Sequence, residues 1–187
     1  MLTNKYAKEY RLDTEKDAKG KIHEKSIYTG PLFFLKTDES QKKKICVHMI
    51  FCTLAALVLF VSGLWNQSVY MHVFYISIPS ICQGIMIYLL GTGCLYLWGG
   101  REFYTREQRD KSGERIKLGG AIGMILGGGT LLGIAIYSAL YRPGVGIWDV
   151  YYIITIALQT LIAGYAFWNG KKIWFEQVEI RTQGDKT

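Results

Sequence analysis

Two side-chain amides, Gln83 and Gln159, stand inside long apolar runs of this 187-residue sequence. An amide in apolar surroundings is costly unless its donors and acceptor are satisfied, so the pair has two chemical readings. The amides can bond to each other across a helical bundle and fix its register, or they can line a small polar cavity. Pro79, about one turn before Gln83, removes a backbone donor and is expected to kink or locally open the helix that carries it.

The remaining candidates for chemistry point mostly to structure. His48 and Cys52 share one helical face at i and i+4, but two ligands do not make a metal site. The four cysteines contain no CxxC spacing, so neither a metal nor a disulfide framework is expected. The interior of the apolar runs holds no Asp, Glu, Lys or Arg, and ion-coupled transport normally needs such a group. Asp149 lies at the edge of one run, where it is expected either to cap a helix or to be solvated. Arg101, Glu102, Arg106, Glu107, Arg109 and Asp110 gather in one polar segment, read as a mixed-charge amphipathic linker. Neither catalysis nor a cofactor is expected.

Gly119, Gly123 and Gly127 recur every fourth residue and so form one groove along a helix, while Gly129 and Gly133 extend a second small-residue track. Helix backbones approach closely at such surfaces, and in lipid association relies on that packing. The groove is expected to seat a neighbouring span of the same chain or to form a seam between copies.

The elements that must position these residues are four apolar stretches, at about 46–65, 73–98, 118–140 and 147–168. A hydrocarbon layer of roughly 30 Å takes about 20 helical residues, so each stretch is long enough to span it. The mean hydropathy of +0.13 averages these spans with a strongly polar N-terminal region. The expected fold is therefore all-α and integral to a membrane: a four-transmembrane-helix bundle of two helical hairpins. A polar N-terminal region (1–44) precedes the transmembrane domain (45–170), which contains a polar loop at 99–117; a tail (171–187) follows.

All but Arg142 of the 22 Lys and Arg residues fall in the N-terminal region, the 99–117 loop and the tail. Because Lys and Arg mark the cytoplasmic side, both termini are expected inside, with lysines 42 to 44 holding the start of span one. Trp65, Tyr70, Tyr141 and Trp148 then fall at the outer interface, and Trp98, Tyr104, Trp168 and Trp174 at the inner one. The first 30 residues hold no apolar run long enough for a cleavable signal, so span one is expected to direct insertion into a bacterial cytoplasmic membrane. The net charge of +7 is explained by this topology and by anionic headgroups at the cytoplasmic face; it does not call for nucleic acid.

The exits of spans two and four echo each other, Trp98-Gly99-Gly100-Arg101 and Trp168-Asn169-Gly170-Lys171, each offering a Gly for a left-handed cap and a cation for the helix dipole. Within the N-terminal region, Tyr10 to Thr14 and Lys21 to Tyr28 alternate around Asp17–Gly20 as a hairpin would. A solvated leader is the other reading of the same residues. Leu32 to Leu35 is either a third strand or an interfacial segment. Three functions fit: a non-catalytic membrane-assembly or accessory component with a homo-oligomeric or membrane-protein partner, an oligomeric channel, facilitator or small transporter for a small solute, or a lipid enzyme at the membrane surface.

Overall fold

Four helices form the body: α1 (Glu39–Leu64), α2 (Phe74–Trp98), α3 (Arg106–Tyr141) and α4 (Ile147–Lys172), each long and apolar enough to cross a membrane. The computed structural model describes residues 6–16, 22–36, 39–98, 103–141, 143–173 and 175–177. The turn expected at 17–20, the Gly99–Gly100 exit with Arg101 and Glu102, Arg142, Trp174 and the tail beyond 177 lie outside them. Each helix keeps large apolar side chains on its outer face, including Phe51, Leu95, Ile125 and Leu161, as a rod apolar on all sides does. Around the bundle α1 packs on α2, α2 on α3, α3 on α4 and α4 back on α1.

Two helix starts come earlier than the apolar runs. α1 begins at Glu39 rather than near residue 46, and Lys42 is buried with its ammonium 5.1 Å from the centre of the Tyr104 ring, a contact that offsets the loss of water. The polar loop expected at 99–117 is mostly helical. Thr105 accepts from the Gln108 N–H while Gln108 accepts from the Thr105 N–H, a reciprocal cap that starts α3 at Arg106. One α turn then passes into a π segment, Asp110–Glu114, before the α form resumes at Arg115.

The end of α4 also departs from expectation. Gly170 stays helical, and the helix closes at Ile173 with φ −79° and ψ 99°, so no left-handed cap forms there. Gly170 instead permits close approach to α3, since a Cβ on it would stand 3.0 Å from Lys117 Cγ and 3.1 Å from Ile116 Cγ2.

The polar segments build two small sheets. Strands β1 (Tyr10–Lys16) and β2 (Ile22–Tyr28) form the expected antiparallel hairpin, in register from Tyr10 opposite Tyr28 to Lys16 opposite Ile22. Strand β3 (Phe33–Leu35) does not extend that hairpin. It is the centre of a second sheet, flanked antiparallel by β4 (Phe103–Tyr104) and β5 (Phe175–Gln177). The chain leaving α2 and the chain leaving α4 therefore run into opposite edges of one strand. Apolar burial supports the arrangement: Phe33, Tyr104 and Ile173 are buried, and Tyr104 meets the Phe175 ring edge-on at 5.2 Å.

Candidate functional site

The bundle core is divided in two. At the sheet end, Met49, Met86, Leu90, Leu97, Ile116 and Ala163 belong to one apolar cluster; at the opposite end, Tyr70, Ile76, Ile134, Tyr152 and Ile156 form another. Gln83 lies between Ile76 and Met86 on α2, and Gln159 between Ile156 and Ala163 on α4, so the two amides occupy the layer between the clusters. Both are closed off from the surface, at 1% and 2% exposure.

The two amides do not bond to each other. Gln83 Nε2 and Oε1 and Gln159 Oε1 have no hydrogen-bond partner among the described residues. Nearby hydroxyls direct their protons along their own helices: Thr130 donates to Leu126 O at 2.8 Å, Thr155 to Tyr151 O at 2.9 Å and Thr160 to Ile156 O at 2.8 Å. Those protons are therefore not offered to the amides. α2 remains helical through Pro79, which is partly buried one turn before Gln83.

The α3 glycines explain how the helices come this close. A Cβ on Gly127 would collide with Thr160 and lie 3.4 Å from Gln83 Nε2; on Gly123 it would be 2.7 Å from Ala163 Cβ; on Gly119, 3.0 Å from Leu89 Cβ; on Gly133, 3.2 Å from Ile76 Cγ1. Gly120, which the i, i+4 pattern passes over, makes the tightest backbone approach, 2.5 Å to Phe167 N and 2.8 Å to Ala163 O. Gly129 is not part of this seam. It lies about 200° around the helix from Gly127, is exposed, and has nothing among the described residues within 4 Å of its Cβ position.

A second polar group, at the end opposite the sheet, has no periodic signal in the sequence. Asp149 is buried and accepts from Ser68 Oγ at 2.6 Å, Val69 N at 2.9 Å and Gly146 N at 2.8 Å. Of its two expected roles, capping and solvation, it takes the first. Asn66 Nδ2 donates to Trp148 O at 3.1 Å, and the Tyr70 and Ser138 hydroxyls are 2.9 Å apart. These bonds tie the α1–α2 connection to the start of α4 and the end of α3.

At the sheet end the clustered charges are mutually engaged. Arg106 Nη1 pairs with Glu9 Oε1 at 3.1 Å, and Lys111 pairs with Glu107. Arg109 binds Asp110 Oδ1 through Nε at 3.0 Å and Nη2 at 2.8 Å, with its guanidinium 4.3 Å from the centre of the Phe33 ring. The Tyr6 hydroxyl donates to Asp110 Oδ2 at 2.8 Å. Burial, then this bond to Asp110, pushes the Tyr6 phenol up to about 12. The Tyr28 hydroxyl accepts from Arg106 N at 3.1 Å and lies 2.9 Å from Pro31 O and 3.1 Å from Glu9 Oε2, fastening the hairpin to α3.

His48 and Cys52 belong to no group of three metal-ligating side chains among the described residues. No protein-family model, no curated protein and no solved structure matches this chain.

Proposed function

We propose that this chain is an integral membrane protein, with both termini and the β3 sheet on the cytoplasmic side, that works as a non-catalytic assembly or accessory component. Its N-terminal hairpin is the recruiting arm. The observation that supports this reading is the hairpin itself: among the described residues β1 and β2 pair only with each other, and Tyr28 fixes their base to α3. A two-stranded hairpin is marginal in water, and its outer edges offer a template for a strand of another protein. The engagement of Glu9, Glu107 and Asp110 in ion pairs favours structural over catalytic use of these carboxylates. Orientation is supported by the concentration of Lys and Arg in the segments at that end.

Purification in mild detergent tests the proposal. A stoichiometric second protein should accompany the full chain and be lost when residues 10–28 are deleted, with the helical body still folded. A homogeneous homo-oligomer that conducts a solute and holds no partner would overturn it.

The unpaired amides favour a second reading, a facilitator or channel for a small uncharged solute passing Gln83 and Gln159. That reading requires flux into reconstituted vesicles that Gln83→Leu abolishes.

A further inference from the structure

A cleft of about 280 Å³ opens at the sheet end, lined by Arg109, Gly113, Glu114, Lys117, Ile173 and Phe175. Against roughly 30 Å³ for one water, it has room for a headgroup rather than a lone ion. We propose that it receives the phosphodiester headgroup of an anionic phospholipid, with the phosphate on Arg109 and Lys117 and a headgroup hydroxyl donating to Glu114. The inference rests on the membrane insertion proposed above, and not on the recruiting role of the hairpin.

Three features make this a built site. Arg109 is held in place: Asp110 takes Nε and Nη2 and Phe33 lies against its face, which leaves Nη1 without a protein partner among the described residues. A fixed guanidinium beside a mobile ammonium is a good phosphate receptor, because the first supplies direction and the second charge. Lys117 supplies that charge. Its stem packs over Gly170, and its amine has no partner among the described residues.

The π segment shapes the back of the cleft. It places Gly113 where a Cβ would be 3.2 Å from the Phe175 ring, and insertions of this kind into α-helices are frequent at functional positions. Ile173 and Phe175 give an apolar wall for the glyceryl and first acyl carbons. Depth agrees: the wall follows the last turn of α4, just beyond the exposed Trp168, a residue type that settles at headgroup level.

Glu114 determines the class of lipid. A carboxylate repels a bare phosphate, yet it accepts from the hydroxyls of a phosphoglycerol group. The site therefore prefers phosphatidylglycerol to phosphatidic acid, and both cations prefer it to phosphatidylcholine. Basic pockets at the cytoplasmic ends of membrane helices bind anionic headgroups by the same electrostatics.

The test uses the full chain in mild detergent mixed with equal phosphatidylglycerol, phosphatidic acid and phosphatidylcholine, with bound lipid read by native mass spectrometry. Phosphatidylglycerol should be retained in preference. Arg109→Gln and Lys117→Gln should each lower that retention about fivefold, the equivalent of ~1 kcal/mol per cation near the surface. Glu114→Gln should erase the preference over phosphatidic acid. Lys111→Gln, outside the cleft, should change nothing. An equal loss with Lys111→Gln would show diffuse attraction and overturn the site, and displacement by millimolar glycerol phosphate would reassign it to a soluble phosphate ester. Alkaline carbonate extraction of native membranes separates the two levels: release of the protein sinks membrane insertion, whereas a retained protein without lipid preference sinks only the cleft.

Discussion

The Tyr6 hydroxyl donates to Asp110 Oδ2 at 2.8 Å, across 104 positions of chain, while the other oxygen of the same carboxylate holds Arg109. The N-terminal segment is thus tied to the π segment through one shared carboxylate. That tie orients the guanidinium proposed to meet a lipid phosphate.

The bond is pH-sensitive in a definite direction. Tyr6 has an ordinary value of 10.0 and is pushed up to about 12 in the fold, so the structure favours the neutral phenol. The stabilisation is complete below pH 10 and is lost as pH rises from 10 through 12. Limited proteolysis of the N-terminal region should accelerate over that window in the wild type. Tyr6→Phe, which loses the hydrogen bond at a cost of about 1 kcal/mol, should be cleaved faster at neutral pH and show less acceleration between pH 10 and 12. An unchanged alkaline step in the variant would assign the transition to another group.

Gly120 and Gly129 make opposite predictions for the same substitution. A Cβ on Gly120 meets main-chain atoms of α4, Phe167 N at 2.5 Å and Ala163 O at 2.8 Å, which cannot rotate away. Gly120→Ala should therefore destabilise the bundle by about 1–3 kcal/mol, as overpacking does. Gly129→Ala meets nothing among the described residues and should stabilise α3 by up to about 1 kcal/mol in a monomer through helix propensity. Thermal unfolding in detergent measures both, and a destabilising Gly129→Ala that also disperses a dimer would place that glycine in a seam between copies.

What the sequence makes legible follows the range of the interaction. The four long helices could be read because a charge-free apolar run is a local property, and their outer boundaries agree within a few residues wherever the run itself ends the helix. α1 and α3 begin earlier because Lys42 finds the Tyr104 ring and Thr105 finds Gln108, contacts that hydropathy does not register. The pairing of Phe33–Leu35 with strands after α2 and α4 was not legible, since three apolar residues suit a strand or an interface equally. The i, i+4 glycine pattern passes over Gly120, which meets Phe167 and Ala163 on α4 while its neighbour Gly119 meets Leu89 and Met86 on α2. Ser68 carries no signal beyond being a polar loop residue; only the fold brings it to Asp149.

Asp149 accepts three hydrogen bonds from residues on two connections, and a buried carboxylate with that many donors is sensitive to each. Asp149→Asn replaces one accepting oxygen by a donor facing N–H or O–H groups, so at least one donor loses its partner. The expected cost is about 1.5–3 kcal/mol, the range for hydrogen bonds to a charged group. Ser68→Ala removes one bond and should cost less. Hydrogen exchange localises the effect: amides of Val69 and the first turn of α4 should lose protection while those of the β3 sheet keep theirs. Uniform loss across the chain would mean that Asp149 supports the whole bundle rather than the end opposite the sheet.

The amide layer separates the two functional readings most sharply. Gln83 and Gln159 are buried with three of their four amide N and O atoms unpaired among the described residues, so in the conformation described they cost stability rather than adding it. If the bundle has only to hold its shape, Leu at both positions should be tolerated and should raise thermal stability by about 1 kcal/mol or more, as apolar replacement of unsatisfied polar groups does. A polar counterpart in a working state would offset that cost. The double variant should accordingly be more stable in detergent yet impaired wherever that counterpart matters. Normal partner binding with abolished solute flux would make the layer a passage and replace the assembly reading. Weakened partner binding without any wild-type flux would make it the place where the bundle adjusts to its partner, and the facilitator reading would fall.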